Sequence, residues 1–329
     1  MRKSLLVVLA LLLPGGVFAE EFSVATFNAE FLNMRKVHIK YGLPFNISDA
    51  DPAVAAQWDS TAFRTNRFDL AVDAVAEAIQ DIDVNVLVLT EVSDGDDLGS
   101  LVNALSGLGA SFPHVEVCDC TDSITGQHVA ILSDRPFIAS ETRLQIEGRA
   151  AYDAEVDDPD EQLDTGISKG IRVAVEVEND SGDPEIVHII GLHLASERGG
   201  HEQDQQRIAQ ASIVRRHAIE LLNRGEHVII AGDLNDRRGQ PTLRRIRGLD
   251  DIWPDLIQTG HHKFFEDGEE SSRWTYQFRG ELNQIDHVLL SYSLRRSGSS
   301  IAARVMDIEE AENPSISDHR PLIVTILMP

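Results

Sequence analysis

A chain of 329 residues with 42% hydrophobic side chains can bury a sizeable core, which excludes disorder along its whole length. A formal net charge of −25 excludes a protein that grips polyanions with its entire surface. Two cysteines, Cys118 and Cys120, make no zinc site, and on a strand they would share one face with poor bridge geometry, so two partly buried thiols are expected.

Met1 to Ala19 joins Arg2 and Lys3 to an apolar run from Leu5 to Leu13, a Pro14-Gly15-Gly16 break and the small residues Val17 and Ala19. That pattern describes a secretory signal cleaved after Ala19, leaving residues 20–329 as one exported domain, secreted or periplasmic. The apolar run is too short to span a bilayer and no later run is longer, so no stable membrane association is expected. Phe22 to Phe27 alternates as a strand and ends at Asn28. Met34 to Thr61 is irregular and reads as a long functional loop. Phe63 to Ile79 returns apolar residues at helical spacing, and Val84 to Thr90 is a continuous apolar strand ending in Glu91. Asp94 to Gly109 is loop then helix, and Val115 to Val117 and His128 to Ser133 are strands. Tyr152 to Thr165 crowds carboxylates around Pro159 as a solvated acidic loop, without the spacing of a helix-loop-helix calcium site. Ile171 to Val177 and Ile186 to Leu192 form a hairpin whose second strand ends in His193, and Gln203 to Asn223 is a helix. Val228 to Ala231 leads to Gly232, Asp233 and Asn235, and Trp274 to Phe278, Gln284 to Ser291 and Leu322 to Leu327 complete the strands.

Apolar strands that each end in a carboxylate, imidazole or amide recur along the chain, at Asn28, Glu91, His193, Asp233 with Asn235, Asp286, and Asp318 with His319. Any one of them can be a turn residue, but turns use Gly, Pro and Ser as often, and a shared mouth on a sheet sandwich would gather the whole set. Asp233 and Asn235 are two apart, so on extended backbone they point the same way. Glu91 with the neutral oxygen of Asn28 suits magnesium, or manganese, better than zinc. Asp233 can orient or deprotonate a water, Asn235 can hold a phosphoryl oxygen, and His193 and His319 can donate to developing charge, with Asp286 fixing the His319 tautomer. This set describes metal-assisted phosphoester hydrolysis. A serine nucleophile elbow and a glycine-rich nucleotide loop are both absent from the sequence. Arginines between Arg207 and Arg247 form a basic zone that brackets the Asp233 strand.

These residues resemble the endonuclease/exonuclease/phosphatase superfamily, with the pancreatic-type deoxyribonuclease and exonuclease III fold. The matching pieces are Thr26-Phe27-Asn28, Leu89-Thr90-Glu91-Val92, Gly191 to Ser196, Ala231 to Asp236, Gln284 to Leu289 and Ser317 to Leu322, in the family's order over nearly the whole mature chain. The resemblance implies a four-layered α/β sandwich with two packed mixed β-sheets flanked by helices. It implies Asn28, Glu91 and Asp318 at the metal, Asp233 on the attacking water, Asn235 and His193 on the phosphate, and Asp286 paired to His319. Lys169 falls where many relatives carry a phosphate-contacting arginine, and Thr90 replaces the family's usual glutamine. His287 should point away as a structural residue. Secretion, the Ser196 to Gly200 segment and the Trp274-Thr275-Tyr276 and Gly280 to Gln284 pattern look most like bacterial extracellular nucleases.

The expectation is therefore a monomeric, magnesium-dependent nuclease acting on DNA, or on RNA as well, with endo or exo cutting left open. A sphingomyelinase-like or inositol-phosphate phosphodiesterase of the same fold is the first rival, and it would need an exposed aromatic hairpin, for which 6% aromatic residues offer no clear candidate outside the Met34 to Thr61 loop. A catalytically inactive binding domain would gain nothing from an isolated Glu91 or Asp233. The acidic surface sets a quantitative expectation: DNA affinity should fall with salt along a shallow log–log slope, because few phosphates are neutralised. Fluorescence anisotropy across a salt titration checks this, and a steep slope would contradict it.

Overall fold

The strands are near-continuous apolar runs because most are covered on both faces, and successive side chains enter different cores. Val24, Val86, Val88, Ile229 and Ala231 face one cluster, whereas their neighbours Ala25, Leu87, Leu89 and Ile230 face others. A computed structural model describes residues 20–110, 112–144, 150–153, 162–248, 256–258, 264–265, 272–295, 300–308 and 316–328. The expected signal segment and residues 154–161 of the expected acidic loop lie outside the described residues.

In chain order the elements are β1 (Glu21–Leu32), α1 (Pro52–Asp59), α2 (Thr61–Gln80), β2 (Val86–Val92), α3 (Gly95–Gly107), β3 (His114–Val117), β4 (His128–Ser133) and β5 (Ala139–Glu141). There follow β6 (Ala150–Asp153), β7 (Gln162–Thr165), β8 (Gly170–Glu178), β9 (Pro184–His193), α4 (Gly200–Asn223), β10 (His227–Asp233), α5 (Pro241–Arg247) and β11 (Leu256–Gln258). The last are β12 (Tyr276–Phe278), β13 (Glu281–Asn283), β14 (Asp286–Ser291), β15 (Ile301–Val305) and β16 (Leu322–Leu327).

Two six-stranded sheets run in the orders β15-β16-β1-β2-β4-β3 and β11-β14-β10-β9-β8-β5. Each is mixed, with one parallel pair at its centre, β1 with β2 and β9 with β10. Val88, Val129, Val173, Ile189, Ile229 and Val324 fill the space between the sheets. Phe68, Val72 and Leu101 of α2 and α3 cover the outer face of the first sheet, and Val214, Leu221 and Leu243 of α4 and α5 cover that of the second. The expected four-layered sandwich is what forms. Fully burying each large apolar side chain contributes about 1.5–3 kcal/mol, so the layers hold without help from the cleft.

Topology fixes where the polar strand ends meet. The parallel pairs deliver Asn28, Glu91, His193 and Asp233 to one edge. In the antiparallel pairing of β10 with β14, Asp286 lies opposite Asp233, and β16 begins just after His319.

Several expectations change. Met34 to Thr61 is not an open loop: it holds α1 and two single turns of 3-10 helix, with Trp58 buried against His38, Tyr41 and Phe63. Turns this short show no readable period. Cys118 and Cys120 are joined as a disulfide rather than left as thiols, with Cα atoms 5.1 Å apart. They lie just past the end of β3, where the backbone has left the extended conformation that made a bridge look unfavourable.

Gly232 has φ +143°, and a side chain there would overlap the Leu192 carbonyl of the paired strand β9. Replacing Gly232 with alanine should cost at least about 3 kcal/mol, since neither backbone segment can move without breaking the ladder. Urea unfolding of the Gly232→Ala variant measures it, and a midpoint equal to wild type would refute the constraint.

Candidate active site

Sharp backbone turns at the strand ends aim the polar residues inward. Pairing registers shift between Asn28 and Leu32 and between Thr90 and Val92, and within these bulges Glu30, Phe31 and Glu91 adopt left-handed φ values of 45°, 48° and 59°. The Glu91 carboxylate then accepts the Phe31 N–H at 3.0 Å through one oxygen and the Asn28 amide at 3.2 Å through the other. Asn28 also donates to Asp233 at 3.0 Å, while its own oxygen accepts the Glu30 N–H at 2.9 Å. The amide nitrogen of Asn28, not the oxygen, faces the carboxylates in this arrangement.

Strand β10 ends at Asp233, and Asn235 is left-handed at φ 51°, so strand alternation does not align the two as expected. A turn does it instead. The Asn235 N–H donates to Asp233 at 2.9 Å and its side-chain amide donates to the Leu194 carbonyl at 3.0 Å. His193 Nε2 lies 3.8 Å from both Glu91 and Asp233. His319 Nδ1 pairs with Asp286 at 2.7 Å, and its Nε2 is 3.7 Å from Asp318. Lys169 donates to Gln127 at 3.1 Å and stands 3.6 Å from Asp122, whose loop is held by Thr125. His287 points away from the cleft onto the Asp236 carbonyl at 2.8 Å.

Glu30, Glu91, Lys169, His193, Asp233, Asn235, Asp318 and His319 all line one cleft of about 270 Å³, whereas Asn28 and Asp286 support it from behind. Burial governs the protonation states here. It pushes Asp233 up to about 7, with Asp286 adding to the effect, and it raises Glu91, with Asp318 adding. Burial and the Lys169 charge hold His193 well below its ordinary value. Burial also opposes charge on His319, but Asp286, Asp318 and Asp233 outweigh it and lift the imidazole to about 10. Glu30, pushed up to about 7 by burial, sits 3.9 Å from the fully buried Lys40, which burial lowers to about 8.

Glu91, His193 and Asp233 each offer a ligand atom within 4.8 Å of the others, as do Asp233, Asp286 and His319. Glu30, Glu91, Asp233 and Asp318 outnumber the cleft's cations Lys169, Arg198 and His319. Buried oxygen donors with surplus negative charge fit a hard divalent cation. The arginines of the basic zone do not line the cleft: Arg207 is buried on Asp204 and the Ala195 carbonyl, Arg224 pairs with Glu226, and Arg237 lies near Glu281.

The sequence profile described as the Endonuclease/Exonuclease/phosphatase family matches residues 25–319, which takes in all of these strand ends. The chain belongs to this family. Among solved structures it is similar to truncated TDP2 from Caenorhabditis elegans (TM-score 0.55, 16% identity, 93% of this chain and 98% of that one). It is also similar to SmcL (TM-score 0.54, 18% identity, 93% and 99%). A beta toxin variant from Staphylococcus aureus with bound magnesium ions gives a TM-score of 0.53 at 14% identity over 93% and 99%. At such identities these likenesses establish the fold. No curated protein matches the chain in sequence.

Among the cleft residues that sequence reasoning did not single out are Glu30 and Arg198. Glu30 follows Asn28 by two positions, and Arg198 comes from the segment after His193. The family member also has the exposed aromatic hairpin that composition gave no sign of: β12 and β13 pair beside the cleft, with Phe278 and Leu282 37% and 50% exposed. Composition counts residues, and a single phenylalanine at a hairpin tip leaves no mark on it.

His287 gives a test of the buried polar network. Burial lowers its pKa, although the Asp236 carbonyl, Asp286 and Asp236 all favour the charge and Arg247 opposes it. A histidine neutral in the fold binds its proton first in the unfolded chain, so its contribution is present above an unfolded pKa of about 6.5 and is lost as pH falls below it. The His287 contribution should therefore fall between about pH 7.5 and about pH 5.5, so the stability of wild type relative to His287→Phe should decrease over that range. Urea midpoints at both pH values decide, and identical pH dependence in the variant would refute the assignment.

Proposed function

We propose that the chain is a secreted, metal-dependent phosphodiesterase, most fittingly a nuclease that hydrolyses DNA, and RNA in the same cleft. The observation that carries this reading is the His319–Asp286 pair beside Asp233 and Glu91 in one buried cleft. A binding module has no use for buried or half-buried carboxylates converging on one cleft, where desolvating Asp233 and Glu91 is costly.

Asp233, its carboxyl raised toward neutral pH, is a base matched to removing a proton from water. As the water oxygen bonds to phosphorus, that proton passes to Asp233. The in-line ester bond breaks, and the leaving oxygen takes a proton from solvent. His319, kept charged by Asp286, donates to a non-bridging oxygen as negative charge grows there. Lys169 is the second cation facing that charge, and the free hydrogen of the Asn235 amide and the neutral His193 orient the phosphate. Glu91 and Asp318 would hold magnesium or manganese, with Asn28 beside them, its oxygen fixed by the Glu30 N–H and its amide nitrogen orienting Glu91. A bound ion there supplies Lewis acidity to the phosphoryl oxygen.

The exposed Phe278 and Leu282 favour a second reading, a phosphodiesterase of lipid headgroups on the same machinery. Incubating circular DNA with residues 20–329 and magnesium separates the two. Cutting should be abolished by chelation, and Asp233→Asn and His319→Ala should each lower kcat by roughly two to four orders of magnitude. Absence of cutting beside hydrolysis of sphingomyelin would move the substrate to the second reading, and full activity in either variant would overturn the mechanism.

A further inference from the structure

The hairpin of β12 and β13 turns through Arg279 and Gly280, both at positive φ (49° and 85°), the geometry that matches the twist of its strands. It is bolted to the catalytic edge rather than loose. Gln277 donates its N–H to the Asp318 carbonyl, Arg320 donates to that of Thr275, and the Thr275 hydroxyl accepts from Ile285 and Asp286. Tyr276 therefore rests on His319, with ring centroids 4.6 Å apart. Phe278, two residues outward on the same face, has its ring nearly parallel to that of Tyr276, at 8°.

The segment after His193 completes the arrangement. Arg198 donates to the Tyr276 hydroxyl and lays its guanidinium 4.1 Å from the Phe278 centroid, while Arg279 approaches the same ring at 5.0 Å. A ladder of π faces and two guanidinium groups thus climbs from His319 to the surface of a chain whose net charge is −25. Beyond the hairpin lies a second cleft of about 530 Å³ that shares Asp318 and His319 with the first.

Resting on the phosphodiesterase reading above, we propose that this ladder is the site for an unpaired base of single-stranded nucleic acid next to the phosphate being cut. A single strand can lay a base face against Phe278, which a base-paired duplex cannot without opening. The base takes the place of one guanidinium on the ring, and the displaced arginine is left beside the nucleic-acid backbone with charge to offer a phosphate. A membrane is the poorer occupant, because dipping Phe278 into lipid would carry Arg279 and Glu281 of the tip with it.

The test uses residues 20–329 with a short single-stranded oligonucleotide, the blunt duplex of the same sequence, and sphingomyelin vesicles. Phe278→Ala should raise KM for the single strand about 10-fold, the effect of removing one stacked base, with kcat and the duplex KM little changed. Phe278→Trp should restore it, and thermal melting of each variant confirms the fold. An equal effect on single strand and duplex, or none, would overturn the stacking role while leaving the nuclease reading intact. Loss of vesicle hydrolysis in place of single-strand cleavage would assign the hairpin to lipid and overturn it as well. A wild-type protein with no magnesium-dependent cleavage of any nucleic acid would instead defeat the underlying reading.

Discussion

The cleft depends on charges that cannot be buried singly. Asp286 and His319 are almost free of solvent, and each is tolerable there because the other is 2.7 Å away. The pair then sets its neighbours. A charged His319 steadies Asp233 and Glu91, whose carboxyls burial alone would push toward neutrality. Deleting either partner would leave a buried charge without compensation, so the pair is as much a condition of the folded edge as of any chemistry there.

Sheet topology makes such a network possible. One parallel pair at the centre of each sheet sends adjacent strand ends to the same edge, and the antiparallel neighbours bring β14 and β16 to it from their beginnings. The sheets must also approach closely there. Gly191 supplies the room, because a Cβ on it would meet Val88 and Val129 across the interface at 3.1 Å. Packing of ordinary valines and isoleucines thus places polar groups that are far apart in sequence, such as Asn28 and Asp233, within hydrogen-bonding distance.

Much of this was legible because long apolar strands announce themselves and because each ended in a residue that turn chemistry does not favour. Most long strands, α2, α4 and the polar strand ends at Asn28, Glu91, His193, Asp233, Asp286 and His319 could be read in that way, whereas their division into two sheets came from the family resemblance. What could not be read depended on tertiary context. Short strands such as β11 and β15 have too few residues for a period, and α1 and α5 are only a turn or two long. Strand alternation predicted the right neighbours for the wrong reason at Asp233 and Asn235, since the chain had already left the strand. The Cys118–Cys120 bridge failed for the same cause, a backbone assumed extended where it bends. The basic zone does bracket the Asp233 strand, but linear charge could not show that its arginines point away from the cleft.

Backbone strain marks the same region from an independent direction. Among the described residues, every non-glycine residue at positive φ except Asp83 lies at the cleft or on the hairpin: Glu30, Phe31, Glu91, Asn235 and Arg279. Such conformations cost on the order of 1–3 kcal/mol each and persist only when surrounding contacts impose them. Here the contacts come from the cleft itself. Asn28 accepts the Glu30 N–H, Glu91 accepts that of Phe31, and Asp233 accepts that of Asn235. The side chains assigned to chemistry therefore also hold the backbone that aims them, and the layered cores beneath supply the stability against which that strain is held. A site built this way starts with its hydrogen-bonding groups already oriented, so little reorganisation is left for the moment when charge develops on a bound phosphate.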